Sequence, residues 1–278
     1  MSNSTVELSP RERAIIVETA EQAMWRSSWN GTPAQLREQL DMHLYEVGGA
    51  SATVIGTFPV AFFNRVLGLG IHEPATESLV DELIAIYSQY DVPRSISLSP
   101  LAQPSGVADW LTARGFKHTS SHAKVLRGRE DPPTIATDLR IERVGPHNAA
   151  VFAQVNRHAF GMPDWYEIMA ERLFDQANFH GYIAYDGDTP AGSGLLYVSG
   201  DVGGLYSGAT LPEYRRRGAQ GAIMAQRIRD GIDLGCRWFT TETDVETPDA
   251  PNPSYHNMLR TGFELVYERP TYEYQPGD

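Results

Sequence analysis

The amino-acid sequence predicts an α/β (α+β) protein of two domains, each a mixed, mostly antiparallel twisted sheet with flanking helices, the second built round a central parallel βαβ unit. Three observations lead there. A strand-like run, Val202 to Ala209, enters the basic turn Arg215-Arg216-Arg217-Gly218-Ala219-Gln220-Gly221, and a helical pattern begins at Gly218. A charged, proline-containing, apolar-poor stretch, Arg127 to Thr134, lies near the middle of the chain and reads as a linker. The half before it repeats, more faintly, the order of strands and helices in the half after it. With 278 residues, and typical domains of about 150, two domains are expected, over 1–130 and 138–278.

In the second half, Leu139 to Val144 alternates apolar and polar residues and predicts a half-buried strand. Helices follow over 146–160 and 163–176, separated by Gly161-Met162-Pro163, where a proline can begin a helix but not continue one. Tyr182 to Tyr185 and Gly194 to Val198, joined by Asp186-Gly187-Asp188-Thr189-Pro190, predict a hairpin. After the basic turn, Met224, Ile228 and Ile232 share one helix face, and Gly235 is placed to end that helix. Trp238 to Thr243, aromatic and β-branched, predicts a strand parallel to the one before the helix. A proline-rich loop, 247–253, precedes a short helix ending Arg260-Thr261-Gly262-Phe263, and two short strands, Glu264 to Tyr267 and Thr271 to Tyr274, close the pattern.

The first half shows a strand at Val66 to Gly70, a helix carrying Leu79, Leu83 and Tyr87, a strand at Ser95 to Leu98, and a helix ending Ala113-Arg114-Gly115-Phe116. The two Gly-Phe corners match in context and indicate an internal duplication.

Composition narrows the function classes. At 41% hydrophobic and 21% charged residues the chain should be globular. No apolar run approaches the roughly 20 residues of a membrane helix, and MSNSTVELSPRER lacks a signal-peptide core, so a soluble, cytoplasmic protein without a membrane partner is expected. Cys236, the lone cysteine, excludes an intrachain disulfide and reads as a small core hydrophobe beside Trp238. The eight histidines show no metal-ligand spacing, and no metal is expected. A net charge of -12 disfavours a nucleic acid partner and suits a cationic or amine substrate.

The turn at 215–221 carries the chemistry. Amides at a helix start have no intrahelical acceptor, and the helix dipole adds partial positive charge there, so a strand, a basic glycine turn and a helix in succession suit a pyrophosphate. Gly218 and Gly221 would allow close approach of phosphate, and Arg215, Arg216 and Arg217 would add full charges.

On these residues the sequence resembles the GNAT N-acyltransferase superfamily. Arg215 and Gly218 match its coenzyme motif, and Gln220 stands at the expected small residue with Gly221 after it. Leu211-Pro212-Glu213-Tyr214 resembles the family's approach to the turn, and Arg260-Thr261-Gly262-Phe263 its later corner; the resemblance covers about 139–275. It implies acetyl-CoA, or another acyl-CoA, as co-substrate. The turn residues Arg215, Arg216, Arg217, Gly218, Ala219, Gln220 and Gly221 would hold the pyrophosphate. Ala209, Thr210 and Leu211 would lie beside pantetheine between two splayed strands, and Asn257 would bond the coenzyme arm.

Catalysis, on the same resemblance, is direct attack by a small-molecule amine. Glu242, at the end of the central strand, is the candidate base. The usual acidic tyrosine of the family is replaced by Met258, which leaves Tyr255, His256 or solvent. Trp165, Tyr166 and Tyr206, with Phe160, Met162 and Asp164, are candidates for the acceptor pocket, and Tyr272 and Tyr274 are expected opposite them. In the first half the corresponding turn is Glu73-Pro74-Ala75-Thr76-Glu77-Ser78, whose carboxylates would repel phosphate. That half is therefore expected to be a degenerate GNAT-like domain that packs on the second and walls its acceptor site, in a monomer or homodimer. The rival expectation is a non-catalytic acyl-CoA sensor or interaction protein.

Overall fold

The computed structural model describes residues 8–277. The first long element is α1 (Pro10–Gly31), started by a capping box in which Ser9 and Glu12 bond each other's amides, with Pro10 in the first turn. After α2 (Ala34–Leu40) come β1 (Met42–Val47) and β2 (Ala50–Ile55), a hairpin whose turn, Gly48-Gly49, takes φ of 54° and 76°. Such a turn needs left-handed backbone at both central residues. The half continues with β3 (Arg65–Leu67), α3 (Glu77–Tyr87), β4 (Arg94–Ser97), α4 (Val107–Ala113) and β5 (Lys117–Arg127).

The second half follows as β6 (Arg140–Arg143), α5 (Ala149–Phe160), α6 (Trp165–Arg172), β7 (Phe179–Asp186), β8 (Thr189–Ser199) and β9 (Val202–Thr210). It is completed by α7 (Ala219–Asp233), β10 (Trp238–Asp244), α8 (Pro253–Arg260) and β11 (Glu264–Tyr274). Both halves contain a parallel βαβ unit: β3 pairs with β4 across α3, and β9 with β10 across α7. The repeated order read from sequence is thus present in space.

The two sheets are not separate. Among the described residues all strands form one 11-stranded sheet in the order β1-β2-β3-β4-β11-β5-β10-β9-β8-β7-β6. The last strand of each half lies in the other half's place: β5 pairs antiparallel with β10, β11 pairs antiparallel with β4, and the two exchanged strands pair with each other. The sheet therefore runs unbroken across the linker. Arg127, at the start of the predicted linker, ends β5, and the stretch from Gly128 to Leu139 has no regular structure. The two terminal strands expected at 264–267 and 271–274 are one strand, β11, with register shifts near Val266 and Thr271.

Tyr272 and Tyr274, expected at the acceptor pocket, are instead carried by β11 into the first half. There they pack on the cluster of Val66, Leu83, Leu111 and Phe116. The second half has its own core, with Ile223, Ile228 and Phe239 fully buried. Cys236 joins it, 2% exposed, and burial pushes its thiol up to about 11, as expected of an inert core residue.

Candidate active site

The site begins where β9 and β10 part. They pair at Val202–Trp238, Gly203–Phe239 and Gly204–Thr240, and no further. Thr241 Oγ1 donates to the Leu205 carbonyl at 2.7 Å, and beyond that the strands diverge. The cause is a bulge in β9: Leu195 faces Tyr206 and Ser193 faces Ala209, so Ser207 and Gly208 oppose Gly194 alone. Ser207 takes φ 49°, and such a residue in a strand bends it and interrupts the ladder locally. Arg227 of α7, 2% exposed, donates Nη1 to the carbonyls of Leu195 at 3.0 Å and Tyr206 at 3.1 Å. It has no carboxylate partner among the described residues, and burial pulls its guanidinium down to about 10.

The turn after β9 presents amides. Arg216 and Gly218 have φ of 65° and 81°, and the first helical bond of α7 is Ala222 N–H to Gly218 O at 3.0 Å. Among the described residues, no protein acceptor takes the amides of Arg216 through Gly221. Arg215 and Arg216 are exposed beside them. Arg217 faces elsewhere: it bonds Asp138 at 2.5 Å and Asp186 at 2.7 Å, and holds both carboxyls below their ordinary value. Only two of the three arginines are thus free for an anion.

The glycines also have a role that the sequence did not reveal. The connecting segment runs against the turn, with Thr137 Oγ1 donating to Arg217 O at 2.8 Å. A Cβ at Gly218 would overlap the carbonyl oxygen of Ala136, and one at Gly221 would come within 3.0 Å of Ile135 Cγ2. Their bare α-carbons therefore admit the protein's own connecting segment, its backbone at Gly218 and the Ile135 side chain at Gly221.

A cavity of about 600 Å³ extends from the parted strands to the first half. Ser207, Gly208 and Thr241 to Asp244 line one part, with Gln220, Met224 and Arg227 from one face of α7. Glu21, Trp25 and Trp29 of α1 and Val60, Phe62 and Phe63 after β2 line the part made by the first half. Glu242 sits between, in a buried ionic network. Its Oε2 accepts from Arg269 at 2.6 Å and lies 3.3 Å from Lys124 Nζ. Arg269 also donates to Glu18 at 2.9 Å and Glu21 at 2.7 Å, and Lys124 to Glu21 at 2.7 Å. Burial would raise the Glu242 carboxyl, but Arg269, helped by Lys124 and Arg65 against Glu21, holds it below its ordinary value. Tyr206 lies beside this network, its buried hydroxyl without a partner among the described residues. Burial, then Glu21 and Glu242, pushes its pKa well up, so it keeps its proton at neutral pH.

The sequence-predicted residues divide as follows. Glu242, Tyr166, Tyr206, Phe160, Met162 and Gln220 line the cavity. Ala209 and Thr210 end β9, where Gln220 Nε2 donates to the Ala209 carbonyl and to Thr210 Oγ1, and Leu211 N–H donates to Ala191 O at 2.9 Å. Ala219 is buried at the head of α7. Trp165 packs on Phe58 and Phe63 behind the cavity, and Asp164 points outward to Arg157 at 3.1 Å. On α8 the cavity-lining residues are Ser254 and Met258; Tyr255 packs on the second core, His256 bonds Glu246 at 2.7 Å, and Asn257 accepts from Arg260 at 3.0 Å. Sequence reasoning missed Glu21, Trp25, Trp29 and Arg269, for which no local motif exists, and Ser254, one turn before Met258 on the same helix face.

Comparison with known proteins agrees with this geometry. A family model described as an acetyltransferase (GNAT) domain matches residues 119–244. No curated protein matches the chain. Among solved structures, a GCN5-related N-acetyltransferase from Kribbella flavida superposes with a TM-score of 0.65 at 15% identity, covering 95% of this chain and 96% of that one. One from Sphaerobacter thermophilus gives 0.60 at 11% identity, with 98% and 95% covered. A tandem GNAT protein from the clavulanic acid biosynthesis pathway gives 0.60 at 12%, covering 100% and 98%. Two copies of one βαβ plan, a bulged strand parting from its neighbour before an amide-rich turn, and these likenesses lead to one conclusion: the chain has a tandem GNAT fold, and its residues 119–244 match the model of an acetyltransferase (GNAT) domain.

Proposed function

We propose that the protein transfers an acetyl or other short acyl group from acyl-CoA to an amine of a small molecule by direct attack, as a soluble cytoplasmic monomer or homodimer. The observation that carries this reading is the conjunction of the β9–β10 gap with the six consecutive amides at 216–221, unpaired among the described residues and running into the first turn of α7. Those amides, with Arg215 and Arg216, suit a diphosphate. The gap, edged by Ala209, Thr210 and Leu211, suits the amide-bearing arm. Bound there, the coenzyme supplies an activated thioester.

The chain's own residues then have distinct tasks. Ser207 and Gly208, where the bulge breaks the ladder, are the backbone nearest to hand for polarising an acyl oxygen, and Arg227 braces that bulge by holding the carbonyls of Leu195 and Tyr206, the pair beside it. Glu242, ionised at neutral pH, takes the proton of the incoming ammonium; its Oε1 has no protein partner among the described residues. Tyr206, protonated and unpaired, is a proton donor to the same space, as is Ser254. Tyr255 and Asn257 would reach it only if α8 turned.

The test is release of coenzyme thiol from acetyl-CoA across a mixed pool of amines, with calorimetry for stoichiometry. One coenzyme per chain and a Glu242→Gln variant slowed by about 100-fold or more are expected, since positioned acid-base help is of that order. Near-normal turnover in that variant would remove Glu242 from the mechanism. Met258, at the usual tyrosine's position, favours the second reading, a coenzyme-binding sensor, and tight binding with no turnover on any amine would establish it.

A further inference from the structure

We propose that the acceptor is a monoamine carried on an aromatic or bulky apolar body, and that the first half of the chain supplies its binding wall. This rests on the acyl-transfer reading above. The cavity, at about 600 Å³, is of the size that encloses drug-sized ligands, far more than an acetyl group and a short amine need.

The wall contributed by the first half is aromatic. Trp25 lies 5.0 Å from Trp29 and 5.3 Å from Phe62, edge to face with the latter, and Phe63 closes the group at 5.9 Å from Trp25. Val60 and Phe62, with Phe160 from the end of α5, are 38%, 50% and 49% exposed, although each lines the cavity. Large apolar side chains gathered at an opening, rather than scattered singly, mark a surface awaiting an apolar partner. That opening belongs to the loop after β2 and to α5, not to the phosphate turn, so a molecule can enter from solvent without following the coenzyme. An acceptor uses such a route; an acyl chain delivered through the β9–β10 gap does not. One buried donor marks the wall, Trp29 Nε1, which has no partner among the described residues and can receive a ligand oxygen.

Charge argues against a polycation. The network bordering the cavity contains three carboxylates, Glu18, Glu21 and Glu242, and three cations, Arg65, Lys124 and Arg269. Of the other charged groups lining the cavity, the carboxylate of Asp244, 3.4 Å from His122, is matched by the buried guanidinium of Arg227, so no surplus negative charge is left for a second or third ammonium. Arg65 already lies over the rings of Trp25, at 5.3 Å, and Phe62, at 5.0 Å, so these aromatics have a cation of their own.

The experiment uses the full chain and two readouts. Tryptophan fluorescence is titrated with 2-phenylethylamine and with spermidine, and turnover with acetyl-CoA is measured for both. Saturable fluorescence change with 2-phenylethylamine alone, and a kcat/KM for it at least about tenfold higher, are expected, tenfold being about 1.4 kcal/mol of contact. Phe62→Ser, at a half-exposed site, should raise KM for 2-phenylethylamine several-fold and leave kcat unchanged. Equal handling of both amines, or a fluorescence change produced by octanoyl-CoA and competed away by neither amine, overturns the proposal. Fluorescence saturation lost in Phe62→Ser, without turnover of any amine, upholds the aromatic site and refutes acyl transfer.

Discussion

Gly218 meets two demands at once: φ of 81° and contact with the Ala136 carbonyl. An alanine there would strain the backbone by about 1–2 kcal/mol and push the connecting segment off the turn. Gly218→Ala should therefore weaken acetyl-CoA binding by tenfold or more in calorimetry, with a loss of stability of similar size in urea unfolding. The site was legible in sequence where chemistry runs along the chain. Three arginines and two glycines in seven residues point to the turn proposed for an anion, and Glu242, the proposed base, is reached by placing it on the neighbouring strand. It was illegible where chemistry runs across the chain: nothing near Arg217 foretells Asp138 and Asp186, and nothing near Glu242 foretells Arg269.

Helix α1 is the element that joins the halves chemically. It brings Glu18 and Glu21, each 1% exposed, against Arg269 of β11 and Lys124 of β5. Burial raises the Glu21 carboxyl, but Arg269, Lys124 and Arg65 outweigh it and hold it well below its ordinary value. A lowered carboxyl stabilises the fold fully above its unfolded value, about 4.3, and that contribution disappears as pH falls through the folded value. Thermal unfolding should thus fall steeply in acid, below about pH 4. Glu21→Gln, which leaves buried cations short of a partner, should lose about 3–5 kcal/mol at neutral pH and show a shallower acid decline. The same helix explains a gap in the reading of the sequence. Its inward face includes Glu18, Glu21, Gln22 and Ser28 beside Trp25 and Trp29, so apolar periodicity, the signal that revealed α3 and α7, is broken by the residues that face the ionic network.

At the scale of the molecule, the exchange of β5 and β11 makes the two repeats one folding body. A protease site engineered between Glu130 and Asp131, in the exposed connection, should give on cutting a nicked protein that native mass spectrometry finds as a single particle with its coenzyme binding intact. Separate expression of 1–130 and 138–278 should give insoluble pieces. The repeat itself could be read from the two Gly-Phe corners, since each is set by a few local residues. The exchange could not, because β5 and β11 look equally suited to either edge and only packing of the whole chain chooses between them.

That choice sets an order of events during synthesis. While a ribosome is still making residues 264–274, β4 has no neighbour on one side and the nascent first half cannot close. A message cut short before β11 thus yields no closed first half, and quality control meets an open sheet edge that chaperones must shield until β11 has been made.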